Sequence, residues 1–77
     1  MSYTGKFQPA RERVARNVKL WREQRGVSQK TLSAAAGLSR TYLSRIENGV
    51  ETVSVDHLEK LAIALKVDVV DLLKPAP

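Results

Sequence analysis

Three glycines, Gly26, Gly37 and Gly49, divide the middle of this 77-residue chain into segments too short for more than about three turns of helix. The apolar patterns between and around them repeat at helical spacing, and no segment alternates with period two. The chain is therefore expected to be all-α. Ahead of Gly26, Ala10, Val14, Val18 and Trp21 form one stripe on a helix running to about Arg25, with Pro9 suited to its first turn. Gly26 ends that helix as the residue that turns left-handed without strain. Ser28 caps a second helix through Leu32 to about Ala36, which Gly37 stops. Ser39 caps a third, carrying Leu43 and Ile46 inward, and Asn48-Gly49 closes it. A connecting loop, 50–53, leads to Ser54, the cap of a fourth helix with the stripe Leu58, Leu61, Ala62 and Leu65. Asp56 and Glu59 suit its positive N-terminal end and Lys66 its negative one. Asp68 caps a last short helix, Val69 to Leu73, which the tail from Lys74 to Pro77 cannot continue. The expected organisation is a flexible arm at 1–8, one compact five-helix domain at 9–74 and a tail at 75–77.

Composition removes many function classes. The chain has no cysteine, so disulfides and thiol chemistry are excluded. Its single histidine, His57, has no Cys/His/Asp cluster with which to bind zinc, and it is expected to be ordinary surface. No apolar stretch approaches the ~20 residues of a membrane span, and the N-terminus lacks the apolar centre of a signal peptide. The expected location is the cytoplasm, with no cofactor, no metal, no membrane and no small-molecule ligand. Charge is divided unevenly. Residues 1–45 carry ten basic side chains against Glu12 and Glu23, net +8, whereas 46–77 carry three lysines and six carboxylates, net −3. A domain with one basic half suits a polyanion, of which nucleic acid is the commonest.

Two short helices around a glycine-containing turn outline a helix-turn-helix. Counting Gln29 as the first position, apolar residues fall at the fourth, eighth, tenth, fifteenth and eighteenth: Leu32, Ala36, Leu38, Leu43 and Ile46. Glycine falls at the ninth, Gly37, where the chain must reverse. The apolar set seals the corner between the helices. It leaves Arg40, Thr41, Ser44 and Arg45 exposed on the second of them, with Tyr42 at the edge. A helix entering the DNA major groove needs donors and methyl groups of this kind.

From Leu20 to Leu73 the sequence resembles the lambda Cro and repressor-like helix-turn-helix proteins, the XRE family. The residues that carry the resemblance are Trp21-Arg22, Arg25-Gly26-Val27-Ser28-Gln29, Leu32, Ala36-Gly37-Leu38-Ser39, Ile46-Glu47-Asn48-Gly49, and Leu61-Ala62 with Leu65. Arg40-Thr41-Tyr42-Leu43-Ser44 followed by Ile46-Glu47 looks most like the small controller proteins of bacterial restriction–modification systems. The resemblance implies a sequence-specific regulator that binds double-stranded DNA, with a recognition helix at about 39–47. It implies base contacts from Arg40, Thr41, Ser44 and Arg45, and phosphate contacts from Arg22, Ser28, Gln29, Ser39, Tyr42 and Asn48. For Tyr42 a ring packed on Arg45 or Pro9 is the competing reading. Arg22 and Glu47 occupy the positions of the family's structural ion pair between the first and third helices. Two departures stand out. Ser33 replaces the usual alanine and is expected to bond the carbonyl four residues back, bending the helix slightly. Lys66 replaces a usual glycine, at a cost of about 1 kcal/mol if it is left-handed.

Other residues offer less. Trp21 belongs to the core stripe rather than to a base-stacking site, Leu20 lies opposite that stripe, and no constellation of catalytic groups suggests an enzyme. Ile63, Val69, Val70 and Leu73 have no obvious inward partner, so they are expected to form a homodimer interface on the acidic half, away from DNA. The expected function is that of a homodimer on a pseudo-palindromic operator. The alternative is a helix-turn-helix protein-interaction module of the antitoxin or anti-repressor type.

Overall fold

The computed structural model describes residues 8–76 and contains five helices: α1 Ala10–Gln24, α2 Gln29–Ala36, α3 Arg40–Glu47, α4 Val55–Leu65 and α5 Val69–Leu73. No strand occurs among the described residues. Each of α2 to α5 starts where a short polar side chain takes up an otherwise orphaned backbone N–H. Ser28 accepts from Thr31 N, Ser39 from Tyr42 N, Ser54 from His57 N and Asp68 from Val70 N. At α5 the arrangement is reciprocal, since Asp71 accepts from the Asp68 N–H. Lys74, bonded to Asp71 at 3.0 Å, and that same N–H hold the Asp71 carboxyl below the usual aspartate value.

The first four helices end alike. After α2, the N–H groups of Gly37 and Leu38 return to the carbonyls of Ala34 and Ser33 at 3.2 and 2.8 Å, the paired bonds of a Schellman turn, with Gly37 left-handed at φ 70°. The same pair of bonds closes α4, from Lys66 N to Ile63 O and from Val67 N to Ala62 O. There the left-handed residue is Lys66, at φ 60°, the conformation in which its side chain costs about 1 kcal/mol. Arg25 crosses to this turn and donates to the carbonyls of Leu65 and Lys66, at 2.8 and 3.3 Å, while its guanidinium lies 5.0 Å from the centre of the Trp21 ring.

The core is built from Val18, Leu32, Leu43, Ile46, Leu61, Leu65 and Leu72, all fully buried. Truncating any of these leucines to alanine is expected to cost about 2–5 kcal/mol. α1 packs on α3, α4 and α5, and α2 on α3 and α4. The stripe expected on α1 is therefore only partly the one that is buried. Val14 and Val18 are inside, Trp21 is half-buried and Ala10 is exposed, whereas Ala15 and Asn17 are buried. Because α1 faces three helices, its buried surface is wider than a single stripe. Asn17 is accommodated because its amide donates to Lys74 O at 2.8 Å and its carbonyl accepts from Arg16 at 3.1 Å. Ser33 is also buried, but its hydroxyl bonds Lys30 O, three residues back rather than the expected four.

Of the expected arm, residues 1–7 lie outside the described residues. Gln8 is held at both ends: its backbone carbonyl accepts from Arg13 at 2.6 Å and its side chain from Ala76 N at 2.7 Å. Arg13 also reaches Leu73 O at 3.3 Å, so the start of α1 and the end of α5 are joined.

Candidate nucleic-acid interface

The corner between α2 and α3 fixes which side of α3 faces out. Leu43 and Ile46 lock one side of the helix into the core, and Leu32 and Ala36 close the corner from α2. The opposite side exposes Arg40, Thr41 and Arg45, with Ser44 half-buried between them. Together with Gln29 these four residues line one shallow polar groove. Side chains scattered over seventeen positions of sequence are thus gathered into one surface of donors and a methyl group. Ser28 and Ser39, at the starts of α2 and α3, are exposed caps, and Asn48 is exposed at the end of α3.

A buried network holds this surface in place. Arg22 of α1 donates from Nε to Glu47 Oε2 at 2.7 Å and from Nη2 to Glu47 Oε1 at 3.1 Å, a two-pronged pair. The Glu47 side chain is 3% exposed and that of Arg22 15%. The hydrogen bond to Glu47 raises the Arg22 pKa further above its ordinary value, against the opposing effect of burial. Arg22 Nη1 also donates to Val27 O at 3.0 Å, in the turn before α2. Gln29 joins the same carboxylate, its amide donating to Glu47 Oε1 at 3.1 Å. One carboxylate therefore ties α1, α2 and α3 together at the back of the groove. The bond from Gln29 was not visible in the sequence, where eighteen residues separate the two side chains.

Tyr42 is placed by partners that sequence reasoning missed. Its ring meets that of His57 edge-on, with centroids 5.3 Å apart, a partner outside the Arg45 or Pro9 of the competing reading. Its hydroxyl lies 3.1 Å from both Thr52 O and His57 Nδ1. A phenol has one proton, so both contacts are satisfied when Tyr42 donates to Thr52 O and His57 Nδ1–H donates to Tyr42. His57 is accordingly a half-buried partner of the third helix and not the plain surface residue expected. Burial pushes the Tyr42 phenol up from its usual value, and the nearby charge of Glu51 adds to the effect, so the hydroxyl keeps its proton across the physiological range. Glu51 itself bonds Arg45, Oε2 to Nε, at 2.8 Å. No charge pattern marked Glu51 or His57, because their positions depend on the path of the loop after Gly49.

The residues expected to form a dimer surface divide into two pairs. Ile63 and Val70 are 68% and 61% exposed, while Val69 and Leu73 are half-buried against the core. Leu20, opposite the α1 stripe, is 42% exposed. Among the described residues no group of His, Cys, Asp or Glu is placed to hold a metal, and no helix is long and apolar enough to cross a membrane.

A glycine-hinged pair of helices, the second presenting polar side chains outward from a five-helix core, defines a lambda-repressor-like helix-turn-helix domain. Residues 18–72 match the family described as helix-turn-helix, HTH_3, and the chain belongs to that XRE-type family of transcription regulators rather than to a family of enzymes. It is 38% identical over 68 residues to a hypothetical transcription factor of Neisseria meningitidis, covering 88% of this chain and 64% of that protein. It spans only 40% of the Bacillus subtilis regulator SlrR, which is also 38% identical over the matched part. Among solved structures, the restriction–modification controller protein C.AhdI from Aeromonas hydrophila is 32% identical, with a TM-score of 0.78 over 80% of this chain and 94% of that one. The biofilm regulator SinR in complex with DNA is 34% identical, with a TM-score of 0.76 over 79% and 98% of the two chains.

Proposed function

We propose that this chain is a sequence-specific DNA-binding regulator of transcription that acts as a homodimer on a pseudo-palindromic operator. The observation that carries the reading is the groove of Gln29, Arg40, Thr41, Ser44 and Arg45, presented by a helix whose opposite side is locked into the core. Arg40, Thr41, Ser44 and Arg45 meet base edges in the major groove, Arg40 pairing with the O6 and N7 of a guanine. Ser28, Gln29, Ser39, Tyr42 and Asn48 meet the phosphates that set the register, with the N–H groups at the start of α2 assisting Gln29. Arg22 contributes to the same backbone with the N–H groups its three bonds leave over. Tyr42 reaches a phosphate by giving up the Thr52 carbonyl.

The solved complex of SinR with DNA supports the DNA-binding reading, because the two domains superpose over most of their lengths. Two copies related by a two-fold set their α3 helices one DNA turn apart, about 34 Å. Such a protein works in the cytoplasm, beside the chromosome. Binding-site selection from random duplexes tests the proposal. A two-fold symmetric consensus with half-site centres one turn apart is expected. Retention of duplexes with no shared sequence overturns it.

A further inference from the structure

The loop between α3 and α4 does more than connect them. Its Glu51 carboxylate meets Arg45 through Nε alone, at 2.8 Å, and the next residue, Thr52, offers its carbonyl to Tyr42 at 3.1 Å. Two side chains of α3 are thereby held by two successive loop residues. Arg45 remains 53% exposed and lines the groove, while Glu51 is 31% exposed beside it. A guanidinium has two edges that can form paired hydrogen bonds, one using Nε with a terminal nitrogen and one using both terminal nitrogens. With Nε occupied, only the terminal edge is left to pair. Its two parallel N–H groups match the O6 and N7 acceptors of guanine, a pattern no other base offers in the major groove. The carboxylate has a second effect, since a negative charge at a DNA surface opposes phosphate binding of any sequence.

We propose that Glu51 is a specificity-determining positioning residue: it fixes Arg45 by Nε so that the two terminal nitrogens address one guanine in each half-site. The proposal rests on the DNA-binding reading given above. It predicts a trade, in which Glu51 lowers affinity for DNA in general and raises the preference for guanine at one position.

The test compares wild type, Glu51→Ala, Glu51→Gln, Arg45→Ala and the Glu51→Ala/Arg45→Ala double variant. Each is titrated against the selected duplex and a duplex with the guanine assigned to Arg45 replaced by adenine. Wild type is expected to prefer guanine by roughly tenfold or more. Glu51→Ala is expected to bind both duplexes at least as tightly while the preference shrinks several-fold. Glu51→Gln keeps an acceptor for Nε without the charge, so part of the preference returns. In the Arg45→Ala background, removing Glu51 leaves the residual preference unchanged. If Glu51→Ala retains the full wild-type preference, or if Gln and Ala behave alike, Glu51 acts only as a charge and the proposal is overturned. Failure of wild type to select any sequence overturns the DNA-binding reading itself, a result distinct from these.

Discussion

Arg40 and Gln29 line the same groove but are held differently, and their substitutions should separate. Arg40 is exposed at the first turn of α3, whereas the Gln29 amide is bonded to a buried carboxylate. Arg40→Ala is expected to cost about 1–3 kcal/mol of binding and to relax the preference at one base pair per half-site, read by site selection. Gln29→Ala is expected to weaken all sequences about equally and to lower stability by about 1 kcal/mol through the lost bond to Glu47. Glu47 makes the stronger stability prediction. Glu47→Gln breaks a pair that is almost wholly enclosed, at an expected cost of about 3–5 kcal/mol. In a domain this small that lowers Tm by well over ten degrees, at roughly 4–8 °C per kcal/mol. An unchanged melt would mean that the pair contributes nothing. Which side chains would line the groove was legible in the sequence, since Leu43 and Ile46 fix the rotation of α3. The partners of those side chains were not. Glu51, Thr52 and His57 reach Arg45 and Tyr42 only because of the route the chain takes after Gly49, and no periodicity encodes a route.

The elements themselves were legible nearly to the residue, because each start and stop has a local chemical cause. Ser28, Ser39, Ser54 and Asp68 all cap the helices that follow them. What local rules missed was the width of the buried side of α1, where Asn17 is inside and Ala10 outside, since that depends on α5 returning beside α1. The turn after α4 is the one element that breaks its own rule. Gly26, Gly37 and Gly49 occupy left-handed positions freely, and Lys66 occupies one at φ 60° under strain. Lys66→Gly releases about 1–2 kcal/mol of left-handed strain and costs about 0.5–1 kcal/mol in unfolded-chain entropy. The net expectation is a gain of up to about 1.5 kcal/mol, seen as a higher urea midpoint with an unchanged slope. The Arg25 bonds to this turn go to backbone carbonyls, so the substitution leaves them available.

For the whole molecule, the proposed dimer narrows to Ile63 and Val70, the two members of the expected set that project into solvent. Val69 and Leu73 lean on the core, so they can border such an interface but are not left over from folding. Val70→Asp is expected to yield a folded monomer, by sedimentation and circular dichroism, that binds operator DNA far more weakly. A variant that stays dimeric would place the interface elsewhere, with exposed Leu20 on α1 the next surface to alter. The fastening of α1 to the far end of the chain has a different consequence, one of timing. α1 leaves the ribosome first, yet the carbonyls that receive Asn17 and Arg13 belong to Lys74 and Leu73. At roughly 5–20 residues per second, the intervening 57 residues take about 3–11 s to synthesise. Throughout that interval the buried face of the first helix waits without its last partner. The nascent domain is thus most open to chaperone capture along α1, and it is finished only once residue 74 has emerged.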